Sequence, residues 1–203
     1  MIIQYLGLTS FRLQSNGLSL LIDPADPKSG ISLPRMQNDV VLYSQNEKAK
    51  TFSDKTFVID CPGEYEVKGC FVYGVQVNHD TVGKAMYVIE IEGMRVAYLG
   101  ILKQAKLTDD QLDKLAGVDI LMVPVGGGES LDSKQAIDIV NQIEPRIVIP
   151  MYYQIPGLKL KLDSLDKFKN DSAYKTETLD KYKIAKKDLP QDETMMVVIT
   201  PAK

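Results

Sequence analysis

The sequence predicts an α/β domain in which two β-sheets pack between helices, and three observations carry that reading. The first hundred residues are short β-type runs separated by turn signals, the residues after Gly100 alternate apolar strands with amphipathic helices, and no linker divides the two halves. With 203 residues, 44% hydrophobic and 25% charged, one domain spanning residues 1–203 is expected to bury a full core. The runs at residues 2–6, 10–14 and 18–22 are strands, with Ser15-Asn16-Gly17 as the turn between the second and third. Prolines at 24, 27 and 34 then forbid regular structure. Strands resume at 40–43, 56–59, 70–77, 86–91 and 95–99, the last two joined by a tight turn at Glu92-Gly93.

Beyond Gly100, Thr108 with Gln111 and Asp132 with Gln135 each have capping-box spacing, in which a side chain at the helix start and one three residues later satisfy orphan amides. Apolar positions Leu112, Leu115 and Ala116 follow the first, ended by Gly117; Ala136, Ile137, Val140 and Ile143 follow the second, ended by Pro145. Residues 118–124 and 147–150 are buried strands. Between 157 and 188, nine lysines and six acids interleave with Leu160, Leu162, Leu165 and Phe168, which predicts a loop, a solvated amphipathic helix and a connector. Residues 194–200 close the chain as a strand.

Composition restricts function. Twenty-four basic against twenty-seven acidic residues recommend no nucleic acid, and no apolar run approaches the ~20 residues that cross a bilayer. No basic leader precedes an apolar stretch at the start, and two cysteines suit a reducing compartment, so the expectation is a cytoplasmic protein with no membrane partner. One histidine, His79, argues against a standard zinc site, which draws three or four ligands mainly from His and Cys. Glu64 and Glu66 are spaced for paired-carboxylate chemistry, Gly126-Gly127-Gly128 for presenting amides to an anion, and Cys61 for a nucleophile. The bland alternatives, respectively a scaffold strand, a turn and an isolated thiol, are the expected ones.

Ordered segments along nearly the whole chain carry a resemblance. Gln4 to Phe11 with Leu21-Ile-Asp-Pro24, Cys61-Pro-Gly-Glu-Tyr-Glu-Val67, His79-Asp80, Tyr87-Val-Ile-Glu90, Val123-Pro-Val-Gly-Gly127 and Ile147-Val-Ile-Pro-Met151 resemble the metallo-β-lactamase superfamily. More narrowly, they look like its small Zn-dependent hydrolase-like branch related to ascorbate-phosphate lactonase. The resemblance implies an αββα sandwich of two mostly antiparallel or mixed sheets, with a metal cleft at the edges of both. It also implies seven ligand positions, which here hold Gln45, Glu47, Ala49, Lys50, His79, Ile101 and Tyr152. Only His79 keeps the expected residue. Leu8 stands where a histidine is often found. Ala49 and Ile101 remove anionic charge that a metal would balance, and Lys50 adds a cation.

The expectation is therefore a chain with no confident catalytic residue and no cofactor, binding a small ligand or a protein partner, as a homo-oligomer. Asp80, Tyr153 and Tyr43 are expected in the emptied cleft. In the alternative, a metal-dependent hydrolase of phosphoesters or lactones holds zinc or manganese through His79, Glu47 and Asp80.

Overall fold

The computed structural model of the chain describes residues 1–45, 55–77 and 85–202. The opening runs form β1 (Ile2–Gly7), β2 (Ser10–Ser15) and β3 (Leu18–Ile22), an antiparallel meander in which Gln4 faces Arg12 and Arg12 faces Leu21. The proline-bearing segment follows, and β4 (Val40–Leu42) and β5 (Phe57–Ile59) then add in parallel. Together with β13 (Tyr182–Lys183) they make a six-stranded sheet, β13-β1-β2-β3-β4-β5.

The second sheet has eight strands. β6 (Glu64–Val67), β7 (Cys70–Gln76), β8 (Ala85–Ile91) and β9 (Met94–Tyr98) are antiparallel neighbours, and β10 (Ile120–Pro124), β11 (Ile147–Met151), β14 (Met195–Ile199) and β12 (Lys175–Leu179) continue it in parallel. The change from antiparallel to parallel coincides with the change from turns to helical crossovers, because a parallel connection needs a long return path. Helices α1 (Asp109–Leu115) and α2 (Ser133–Ile143) supply those returns. Both predicted capping boxes form. Thr108 accepts from the Gln111 amide at 3.3 Å while Gln111 accepts from Thr108, and Asp132 accepts from the Gln135 amide at 2.9 Å while Gln135 accepts from Asp132.

Strand alternation sorts the residues of the six-stranded sheet. Ile3, Tyr5, Phe11, Leu13, Leu20 and Ile22 turn to the interior and join β8, β9, β10 and β11 side chains in one continuous core. On the opposite face Leu6, Leu21, Val41 and Tyr43 form a smaller cluster covered by Leu33 and Met36. Two mixed sheets and their helices are the predicted α/β sandwich.

The charged segment 157–188 is only partly as expected. The amphipathic helix is present as α3 (Leu165–Ser172), burying Phe168, but the connector contains β12 and β13. Four of the five β12 residues are exposed, so an edge strand there shows no buried alternation for the sequence to reveal. Among the described residues, no helix is long and apolar enough to cross a membrane.

One surface pair gives a pH prediction. Asp39 accepts from Lys68 at 2.6 Å and from the Ser19 amide at 2.8 Å, and these bonds, the Lys68 bond first, hold its carboxyl below the usual range. A depressed carboxyl stabilises the fold above its unfolded pKa of about 4 and loses that contribution as pH falls through the lower folded value. Half-exposed Lys68 limits the contribution to about 1 kcal/mol or less. Urea titrations should show the difference between Asp39→Asn and the parent vanishing as pH drops below about 4.

Candidate cleft at the edges of both sheets

Just beyond the C-terminal ends of β1, β3, β4, β9 and β11 the chain bounds a cavity of about 220 Å³. Its walls include Leu8, Thr9, Asp23, Tyr43, Gln45, Ile101 and Tyr152, with half-exposed Leu160 at the rim. Strands of both sheets thus deliver residues to one place. Four residues singled out from sequence, Tyr43, Gln45, Ile101 and Tyr152, meet here, as does Leu8.

Tyr153 does not join them. It is buried in the core with its ring 5.8 Å from that of Tyr5, and is not among the cavity's lining residues. The cause lies in the backbone: Tyr152 has φ +54, and this left-handed turn at the end of β11 directs the two tyrosines differently. Glu47, Ala49, Lys50, His79 and Asp80 lie outside the described residues.

The floor of the cavity is a hydrogen-bonded carboxylate that sequence reasoning placed only as part of a motif. Asp23 Oδ1 accepts from the Ser44 amide at 2.6 Å, and Oδ2 accepts from the Ser44 hydroxyl and from the Tyr98 hydroxyl. The Asp23 carbonyl accepts from Ser10 Oγ. Tyr98 also lies 3.0 Å from the Thr9 carbonyl, so β9 of one sheet is joined here to the β1–β2 turn and β3 of the other. Burial first, and then the Asp23 charge, push the Tyr98 phenol well above its ordinary value, which keeps its proton available for donation. An acid immediately after the apolar run 18–22 and a serine after 40–43 were the available signals, since polar groups at strand C-termini gather at a sheet edge.

Two glycines make the approach possible. A Cβ on Gly100, whose φ is +60, would stand 2.8 Å from Ser44 Cβ. A Cβ on Gly126 would overlap the Tyr152 carbonyl oxygen and come within 3.0 Å of Tyr153 Cα. Tyr152 is fixed in turn by its amide donating to the Leu8 carbonyl at 2.7 Å, a direct link between the sheets. The glycine run is accordingly a turn and a close contact. The Gly127 amide donates to the Leu131 carbonyl, and the Asp132 carboxylate already caps α2.

The described part of the cleft has two carboxylates, Asp26 and the Asp23 already engaged by Ser44 and Tyr98, but its described ligand positions are poor in metal donors. Ile101 has none, Gln45 offers a neutral amide, and burial, with the Glu129 charge second, raises the Tyr152 phenol so that it keeps its proton. Among the described residues, no group of three or more His, Cys, Asp and Glu is placed to hold a metal ion. The other sequence candidates stand elsewhere: Glu64 and Glu66 are exposed on β6, and the exposed Cys61 thiol lies 3.1 Å from the Tyr65 hydroxyl; none lines the cleft.

Comparison with known proteins agrees with this fold. Residues 2–152 match the family model described as a beta-lactamase superfamily domain. The chain is 26% identical over 181 residues to a UPF0173 protein of Pyrococcus abyssi, covering 76% of this chain and 84% of that one. It is 29% identical over 123 residues to a UPF0173 metal-dependent hydrolase of Thermococcus onnurineus, covering 55% and 53% of the two chains. Among solved structures, a Thermotoga maritima protein classed with the Zn-dependent hydrolases of the metallo-beta-lactamase superfamily superposes with a TM-score of 0.80 at 30% identity, over 98% of this chain and 97% of that one.

Proposed function

Because this chain belongs to the beta-lactamase superfamily, we propose that it keeps the family's cleft as a ligand-binding pocket without the family's two-metal chemistry. The observation that carries this reading is the donor set. Where the resemblance implies two histidines and a bridging aspartate, the cleft presents Gln45, Tyr152 and Ile101. An amide, a protonated phenol and a hydrocarbon do not hold a dication against water, and the residues present do not fit the group. At the positions beyond the described residues, the sequence supplies Glu47, Ala49, Lys50 and His79, so two of the four keep a donor, one has none and one is a cation.

What remains suits a small neutral or weakly polar molecule. The walls combine apolar Leu8, Ile101 and Leu160 with Thr9, Gln45, Tyr152 and two carboxylates, Asp26 and the Asp23 already engaged by Ser44 and Tyr98, so a ligand would be held by contact area and a few hydrogen bonds. The second reading is a metal-dependent hydrolase with a remodelled site on His79, Glu47 and Asp80. The relatives' names favour it, since two of them are described as metal-dependent or Zn-dependent hydrolases.

Hydrolysis assays separate the two. With zinc or manganese added, purified protein should turn over phosphoester and lactone substrates no faster than chelator-treated protein. Chelator-sensitive hydrolysis that disappears in His79→Ala would establish the second reading and end the first.

A further inference from the structure

A second and larger cavity, about 560 Å³, lies on the outer face of the six-stranded sheet. Gln4 and Arg12 face each other across β1 and β2 on that side, opposite the interior-facing Ile3, Tyr5, Phe11 and Leu13. Loop residues Pro34, Arg35 and Met36 form one wall, and Asp180, Lys181, Thr200 and Pro201 another. No residue lines both this cavity and the one at the strand ends.

Its charge runs against that of the molecule. The chain carries a formal −3 and only four arginines, yet two of them, Arg12 and Arg35, line this cavity together with Lys181, against a single carboxylate, Asp180. Arg12 is already oriented. Its Nε donates to Ser19 Oγ at 3.0 Å and its Nη2 to the Gln37 carbonyl at 3.2 Å, while Nη1 has no partner among the described residues. Arg35 and Lys181 make no ion pair among the described residues. A fixed guanidinium beside two free cations is the arrangement that recognises oxyanions, since the planar fork matches carboxylate and phosphate oxygens. The net local excess of two positive charges matches a dianion, and the volume matches a metabolite-sized molecule.

We propose that this cavity binds a small organic dianion through a phosphate or carboxylate group, with Arg12, Arg35 and Lys181 as its ligands and Gln4 and Thr200 as neutral hydrogen-bonding partners. The site is independent of the strand-end cleft and of whatever that cleft does.

Calorimetric titration of the full chain at low ionic strength with inorganic phosphate, and separately with citrate, tests the site, with amide-shift mapping to locate it. Saturable binding that perturbs residues around Gln4, Arg12 and Lys181 is expected. Arg35→Gln and Lys181→Gln, which break no bond of the fold, should each weaken it about tenfold. Tyr152→Phe, in the other cavity, should leave it unchanged. Preference for phosphate identifies a phosphate-bearing ligand, and preference for citrate a polycarboxylate. Absence of saturation with both probes, wild-type affinity in the two variants, or shifts confined to the lysines between residues 159 and 175 would each overturn the proposal.

Discussion

Asp23→Ala is expected to cost at least about 3 kcal/mol of folding stability, because the carboxylate is the acceptor for three buried donors. The Ser44 amide at 2.6 Å and the Ser44 hydroxyl would lose their partner, each at about 1–3 kcal/mol when water cannot replace it, and the Tyr98 hydroxyl would keep only the Thr9 carbonyl. Asp23 also sits at φ +39, a region aspartate tolerates better than alanine, which adds to the loss. Asn, which keeps one carbonyl acceptor, should recover part of the difference. The measurement is the urea midpoint and slope of the parent and both variants. An Asp23→Ala protein within about 1 kcal/mol of the parent would mean that the network does not hold the two sheets together at the cleft.

Gly126→Ala has the second-largest expected effect, about 3 kcal/mol. The added methyl would overlap the Tyr152 carbonyl, and neither side can withdraw cheaply. The Val125 amide donates to Met151 at 3.0 Å, the Asp163 amide donates to Gly126 at 2.9 Å, and the Tyr152 amide donates to Leu8 at 2.7 Å, so the backbone is tied on three sides. Gly127→Ala is the informative control. Its Cβ would meet only Asp163 Oδ2 at 3.6 Å and Asp132 Cβ at 4.0 Å, leaving the strain of φ +68, about 1 kcal/mol. Thermal melts of the two variants should therefore differ clearly. Equal losses would show that conformational freedom, not contact with Tyr152, is what the glycine run supplies.

Much of this architecture was legible because local signals and tertiary packing agree. The hairpin at Ser15-Asn16-Gly17, both capping boxes and the buried runs of β10 and β11 formed where the pattern placed them. β12 was not legible, since an exposed edge strand of Lys, Thr and Glu looks like any solvated segment. In the cleft, Tyr43, Gln45, Ile101 and Tyr152 line one cavity. Tyr153 is packed in the core instead, and its direction depends on the left-handed backbone at Tyr152, a conformation the residue type does not announce. The Asp23 network was equally hidden: Ser44 and Tyr98 are seventy-five residues or fewer from Asp23 along the chain, but only the packing of the two sheets brings them to one carboxylate.

Elemental analysis decides whether the proposed loss of the metal centre from the cleft is real. Protein purified from medium supplemented with zinc and manganese, without chelator, should contain only substoichiometric metal, in His79→Ala as in the parent. One or two equivalents of zinc or manganese per chain, lost in His79→Ala, would contradict the claim and make this chain a metal-dependent member of its family.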